Sequence, residues 1–320
     1  MDNEQEELIV RACHSVDCDA GRLLDILWTI QDARGCIDEY GMERVAQLTG
    51  THRVVVEGVV TFYHFFTRNP TGRIAIYLCD DIIDRFAGLR EVEEAFTREL
   101  GIRPGQVTAD GLFSLHHTPF IGLGDQAPAA LINAQVATRL TPARVPRLLA
   151  LLRRHGRLPS GFPSRGEGNN ALPLIAAGVR NNIRLRGPLL SGDHEPGAGL
   201  RQALRLAPAQ IIACVRDSGL RGRGGAGFHS ADKLQLAAAT EAPDRVVICN
   251  ADEGEPGTFK DRVLLTERVD LLLEGMTICA RAIGARQGII YLRAEYRYLE
   301  NWLKDRLRHW RRHGRGAMQA

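Results

Sequence analysis

Four glycines fall within the six positions 222–227, in the run Leu220-Arg221-Gly222-Arg223-Gly224-Gly225-Ala226-Gly227-Phe228. Chain this rich in glycine turns backbone amides toward one point and lets a ligand approach the main chain closely. A phosphate group is the natural occupant, more so where the loop leads into a helix N-terminus. Arg221, Arg223 and Lys233 add positive charge nearby. The loop lacks the preceding strand and the spacing of the usual dinucleotide fingerprint, so a doubly wound nucleotide fold does not follow from it. A second polar block, Asn250-Ala251-Asp252-Glu253-Gly254-Glu255-Pro256-Gly257-Thr258-Phe259-Lys260-Asp261-Arg262, places three carboxylates (252, 253 and 255) within four residues. It follows the strand-like Val246-Val247-Ile248-Cys249, and strand ends are favoured places for ligand contacts in α/β proteins. The plain alternative is a solvated acidic turn paired with Lys260 and Arg262.

The elements that must carry these blocks divide the chain in two. Residues 5–65 read as helical, with Leu8, Ile9, Leu23, Leu24, Ile26, Leu27 and Ile30 at helix-like spacing. Thr51 is the expected cap of a helix entering Val54–Phe66, and the aromatic run Phe62–Phe66 is expected in the core. Arg73–Cys79, Leu112–Leu115 and Ala129–Ile132 read as strands, 81–100 and 142–154 as helices. From His155 to Asn170 glycine, proline and serine dominate, which reads as a linker. Beyond it the pattern predicts helix over 197–219, strands at Arg245–Cys249 and Gly288–Leu292, a long helical stretch over Arg262–Ile283, and a last helix over Glu295–His313. The expected organisation is α/β throughout: a helical segment and small α/β domain over 1–154, a linker over 155–174, and a second α/β domain over 175–320.

Composition narrows the function classes. With 41 basic and 38 acidic residues the net charge is +3, too near balance to argue for nucleic acid or a membrane surface. The cluster Arg306, Arg308, Arg311, Arg312 and Arg315 with His309 and His313 is either a solvated helix face or a partner or anion contact. The start, Met1-Asp2-Asn3-Glu4-Gln5-Glu6-Glu7, is not a secretory signal, and no apolar run approaches the roughly 20 residues of a membrane span. The expectation is a soluble, cytoplasmic protein with no membrane insertion. Its seven cysteines are an odd number and argue against a disulfide framework. Cys13 and Cys18 with His14 form an incomplete metal half-site, and no metal ligand is assigned from the sequence.

Taken together, the two polar blocks resemble the signature of the NADH-binding flavoprotein subunits of respiratory complex I and of the diaphorase subunits of NAD-reducing hydrogenases. The similarity runs from about 176 to 310 and includes Tyr291-Leu292-Arg293-Ala294-Glu295-Tyr296. The resemblance implies FMN and NAD(H) as cofactors. Gly222, Arg223, Gly224, Gly225 and Gly227 would line their site, with Lys233, Asn250 and Asp252 at the flavin. Phe228 would stack on adenine, and Glu253 and Glu255 would lie at the dinucleotide. Hydride transfer of this kind needs no side-chain acid or base, so no catalytic residue is assigned. The family commonly has glycine and tryptophan where this chain has Ala231 and Leu234, and its second adenine-stacking aromatic would fall at Leu236.

The N-terminal part resembles the thioredoxin-like partner subunit of the same enzymes, on Thr61-Phe62-Tyr63-His64-Phe65-Phe66 and Gly124-Asp125-Gln126-Ala127-Pro128. That family holds a [2Fe–2S] cluster on four cysteines, and here the four positions are Cys79, Asp84, Phe120 and Gly124. The expectation is a thioredoxin-like domain with no [2Fe–2S] cluster, acting as a docking scaffold. The fusion of both units resembles the hydrogenase diaphorase most. In the family a second flavin-contacting segment and a [4Fe–4S] cluster lie beyond the position of Ala320, so the flavin domain is expected to be incomplete and catalysis by this chain alone weak or absent. The implied partners are NADH or NAD, an iron–sulfur electron-transfer subunit and hydrogenase subunits, with no nucleic acid. A non-catalytic docking protein and the flavoprotein subunit of an NAD-dependent formate dehydrogenase are the alternative readings.

Overall fold

The computed structural model describes residues 3–158, 187, 190, 192 and 195–318, with side chains as far as 312. Most of the expected linker at 155–174 therefore lies outside the described residues. The chain divides into two compact units, Met1–Pro119 with Pro128–Pro159, and Phe120–Ala127 with Ser160–Ala320.

The first unit opens with four helices, α1 (Asn3–His14), α2 (Leu23–Arg34), α3 (Glu39–Thr49) and α4 (Arg53–Phe62). In α1 the buried positions Gln5, Leu8, Ile9, Ala12 and Cys13 follow the three-and-four spacing of a single helical face. Asp38 caps α3 through the Gly41 amide at 2.8 Å, and Gly35 and Gly50 end α2 and α3 in the left-handed region. Leu27, Ile30, Met42, Val45 and Val56 meet in one core. Thr51 is not the cap of α4. Its amide donates to the Ala46 carbonyl at 3.0 Å, closing α3, and His52 occupies the cap position without a side-chain bond. The aromatic run is only partly core: Phe66 is buried, whereas Phe62 is 75% exposed.

A five-stranded mixed sheet follows, from β1 (Ile74–Cys79), β2 (Gln106–Val107), β3 (Phe113–Thr118), β4 (Ala130–Ile132) and β5 (Gln135–Ala137), in the order β2-β3-β1-β4-β5. Only β1 and β3 run parallel; the other pairs are antiparallel. The parallel pair needs a crossover, made by α5 (Ile82–Phe86) and α6 (Leu89–Leu100). Gly88, at φ +98°, separates what the pattern presents as one helix over 81–100. All six residues of β1 are buried, as a central strand covered on both faces requires. Helix α7 (Val145–His155) seats Val145, Leu148, Leu149 and Leu152 inward.

The second unit contains α8 (Ala198–Ala203), α9 (Pro208–Asp217), α10 (Ser230–Ala239), α11 (Lys260–Glu267), α12 (Val269–Ile283) and α13 (Glu300–Met318), with a parallel pair β6 (Val246–Ala251) and β7 (Gln287–Leu292). The stretch Arg262–Ile283 is two helices, divided at Arg268. Helix α12 is the scaffold. Glu274 accepts from the Gly197 and Leu200 amides at 2.9 and 2.8 Å, and Arg281 donates to the Ala203, Leu204 and Leu206 carbonyls, so both ends of α8 are tied to it. Among the described residues no helix is long and apolar enough to cross a membrane.

Arg262 is completely buried. Its guanidinium donates to both Asp125 carboxylate oxygens at 2.9 and 2.8 Å and to the Gly122 carbonyl at 2.7 Å. Removing one member of such a pair leaves the other charge buried and uncompensated. Arg262→Met is expected to destabilise the second unit by about 3–5 kcal/mol, read as the shift of the urea midpoint; a change under about 1 kcal/mol, the value of an exposed pair, would show the pair to be dispensable.

Candidate functional site

The glycine-rich loop is pinched at its base. Arg221 and His229 form an antiparallel bridge, the Gly222 amide donates to the Phe228 carbonyl at 2.8 Å, and the Ser230 amide donates to the Leu220 carbonyl at 3.0 Å. Arg221 reaches across to the Gly227 carbonyl at 3.0 Å. Residues 223–226 are exposed beyond this base. The Gly222 amide is thus committed within the loop and is not among the amides left to face a ligand. Gly225 and Gly227 sit at φ +113° and +61°, conformations that favour glycine. A Cβ at Gly224, Gly225 or Gly227 would meet nothing within 4 Å. No internal packing therefore requires glycine at these three positions, and the space beside them is free for a ligand to approach the backbone. The loop runs directly into α10. The Arg216 guanidinium holds that helix through Asp232 at 2.5 Å and Gln235 at 2.6 Å. Lys233 is exposed in its first turn, and Phe228 is half exposed beside the loop.

The second block is positioned by a buried network. Asn250 Oδ1 accepts from the Asp252 amide at 3.0 Å, turning the chain at the end of β6. Glu253 follows at φ +42°, a left-handed conformation unusual for a residue with a side chain. Its carboxylate accepts from the Asp261 and Arg262 amides at 2.7 and 3.1 Å, at the first turn of α11, and from the Tyr296 hydroxyl at 2.6 Å. Its carbonyl accepts from Arg293 Nη1 at 2.6 Å. Arg293 also donates to the Phe120 carbonyl at 2.7 Å and pairs with Glu295 at 2.9 Å. Burial pushes the Tyr296 phenol far above its ordinary value, so it remains a donor. Glu253 is therefore a framework residue, and the exposed polar groups of the block are Asn250, Asp252 and Glu255. The acidic turn is only partly neutralised by its own basic residues. Lys260 approaches Glu253 at 3.7 Å and Asp261 at 2.9 Å, but Arg262 turns away to Asp125.

Helix α10 and strand β6 pack on the same part of α12, where Leu234, Ala237, Ala238 and Val247 surround Ala282 and Ile283. One scaffold thus sets the place of both blocks. Leu236, in the position of the family's second aromatic, is 63% exposed. Arg293, Tyr296 and Asp125 are the positioning residues that the sequence does not single out. Their role depends on burial, and no spacing signals it.

In its first unit the chain has the sheet of a thioredoxin-like domain, and in its second a glycine-rich phosphate-type loop beside an acidic strand-end turn. The model of the family described as thioredoxin-like [2Fe-2S] ferredoxin matches residues 9–153, and that of the Nuo51 FMN-binding domain matches residues 215–319. The chain belongs to the family of NADH-dehydrogenase and hydrogenase-diaphorase flavoprotein subunits, with a thioredoxin-like ferredoxin domain at its N-terminal side. It is 42% identical over 298 residues to the NAD-reducing hydrogenase HoxS subunit alpha of Cupriavidus necator, covering 92% of this chain and 49% of that one. It is 45% identical over 98 residues to the NADP-reducing hydrogenase subunit HndC of Solidesulfovibrio fructosivorans, covering 31% of this chain and 20% of that one. A crystal structure of NAD+-reducing [NiFe]-hydrogenase in the air-oxidized state superposes with a TM-score of 0.78 at 36% identity, covering 93% of this chain and 50% of that one. The chain spans about half the length of the NAD-reducing hydrogenase subunit it matches.

One expectation is corrected by these matches. The reading of the N-terminal domain as free of a [2Fe–2S] cluster rested on four positions alone, and the match of the whole domain to the [2Fe-2S] ferredoxin family overturns it. The side-chain donors that the first unit presents there are the Cys79 thiol and the Asp81 and Asp84 carboxylates, a set that departs from the four thiolates such a cluster takes. Burial pushes the Asp84 carboxyl up to about 7.

Glu253→Gln keeps the shape of the framework carboxylate and removes its charge. It is expected to cost roughly 1.5–3 kcal/mol, the range for hydrogen bonds to a charged group, seen as a lowered thermal midpoint; an unchanged midpoint would remove Glu253 from the framework.

Proposed function

We propose that this chain is the FMN- and NAD(H)-binding module of an NADH:acceptor oxidoreductase, a diaphorase of the NAD-reducing hydrogenase type. The observation that carries the reading is the exposed glycine loop with open space at Gly224, Gly225 and Gly227, lying within the stretch that matches the FMN-binding family. When bound, FMN supplies the two-electron acceptor for a nicotinamide hydride. The chain's own residues bind and orient. The amides beyond the loop base, with Arg223 and Lys233, hold phosphate. Asn250 and Asp252 face the flavin, Phe228 stacks on adenine and Glu255 contacts the dinucleotide. Glu253 acts from behind by fixing the turn that carries Asp252 and Glu255. No side chain is required as an acid or base.

The proposal extends to organisation and setting. The two domains correspond to 1–154 and 175–320, joined by 155–174. The module works in the cytoplasm beside an iron–sulfur electron-transfer subunit and hydrogenase subunits. The names of the relatives, hydrogenase subunits and subunits of NADH-quinone oxidoreductase, support a place in a multi-subunit enzyme.

The test is a flavin titration of the purified chain followed by anaerobic NADH. Saturable FMN binding and bleaching of the flavin band by NADH are expected; flavin that never binds would contradict the reading. Two variants sharpen it. Gly225→Ala forces a side chain onto a backbone at φ +113° and is expected to lower FMN retention through loss of the loop's shape, even though the added methyl meets no neighbour. Phe228→Ala is expected to raise the apparent Kd for NADH about tenfold, the worth of one base–aromatic stack of about 1.4 kcal/mol, with FMN binding unchanged. Equal loss of both ligands would mean that Phe228 supports the loop and does not touch adenine.

A further inference from the structure

Cys79 ends β1, and the chain turns through Asp80 and Asp81 into α5, which carries Asp84. Asp81 Oδ1 accepts from the Ile83 and Asp84 amides at 2.7 and 2.9 Å. Asp84 Oδ1 accepts from the Ala129 amide at 2.7 Å. The remaining oxygen of each, Asp81 Oδ2 and Asp84 Oδ2, is buried with no hydrogen-bond partner. Asp84 is completely buried and Asp81 is 8% exposed. The Cys79 Sγ, itself buried and donating to the Pro119 carbonyl at 3.1 Å, lies with one oxygen from each carboxylate inside a group whose atoms are all within 4.8 Å of one another.

Two carboxylates desolvated this close together repel each other, and an unmade bond on each adds to the cost. A divalent cation relieves both at once. We propose that Cys79, Asp81 and Asp84 hold a single divalent first-row ion of zinc type, with water completing the coordination. The donor chemistry selects the class: a thiolate disfavours magnesium and calcium, while carboxylate oxygen and thiolate sulfur together suit zinc. Zinc takes sulfur at about 2.3 Å and carboxylate oxygen at about 2.0–2.2 Å. Ligand atoms around one such ion stand roughly 3.3–3.8 Å apart by tetrahedral geometry, which the observed grouping accommodates. Binding releases the thiol proton to solvent, and the ion remains divalent throughout. Asp80 is outside the set, because its carboxylate is occupied by Arg85 at 2.6 and 2.9 Å.

The test is made on the full chain, stripped with chelator and reloaded anaerobically with Co2+ or Zn2+. One ion per chain is expected, with a thiolate-to-cobalt charge-transfer band that zinc removes by competition. Cys79→Ser abolishes the band. Asp84→Asn weakens cobalt binding by at least the roughly 10–100-fold that loss of an outer-shell partner costs, and Asp80→Asn leaves both band and affinity unchanged. Should Asp84→Asn fail to fold, Asp81→Asn reads the same effect, since asparagine retains the capping oxygen. Three results would overturn the proposal: no charge-transfer band with cobalt, a band that survives Cys79→Ser, or a chain that purifies with iron and an equal amount of acid-labile sulfide lost on Cys79→Ser, which would put a cluster at these residues instead. None of these readouts depends on flavin.

Discussion

The geometry of the candidate flavin site rests on the buried carboxylate of Glu253. It stands at a backbone conformation that costs of order 1–3 kcal/mol for a residue with a side chain, and it is held there from three sides: by the amides at the start of α11, by the Tyr296 hydroxyl and by Arg293. The same turn leaves its neighbours Asp252 and Glu255 exposed. Arg262, one residue into α11 from the first amide that Glu253 accepts, is itself fixed by Asp125 and Gly122. Substituting Gly122 would drive a Cβ to 2.1 Å from the Tyr296 hydroxyl oxygen, so the segment 120–127 is locked to the network by close contact as well as by charge. Charges this deep are costly to desolvate, and their value here is in fixing one arrangement of the turn.

Much of this was legible in the sequence. The α/β alternation, strands β1, β6 and β7, and both polar blocks follow from periodicity and from glycine and carboxylate spacing. What failed did so for local reasons. Thr51 carries the chemistry of a cap, but its amide is used to close the preceding helix. Phe62 belongs to an aromatic run that sequence alone places in the core, yet the helix it ends turns it outward. The break at Arg268 has no glycine or proline to announce it. Within the site, spacing marks Gly222 and Glu253 as ligand residues, whereas hydrogen bonding turns both inward. Arg262 and Arg293 are charged residues whose burial no pattern of apolar positions reveals.

The first unit shows how a domain's family and its local donors carry different information. Its sheet and its match over 9–153 are those of a thioredoxin-like ferredoxin. The donors clustered at the end of β1 are nevertheless one thiol and two carboxylates. The fold fixes where a metal-binding loop lies, because β1 must end and α5 must be capped there. The side chains fix what such a loop can hold.

A crystal structure of the chain soaked with FMN tests the central claim most directly. The account predicts the flavin against the 223–227 backbone and the Asn250–Glu255 turn at once, with Glu253 still accepting from the amides of Asp261 and Arg262. Flavin bound away from either block, or a Glu253 carboxylate swung out to contact it, would contradict the account.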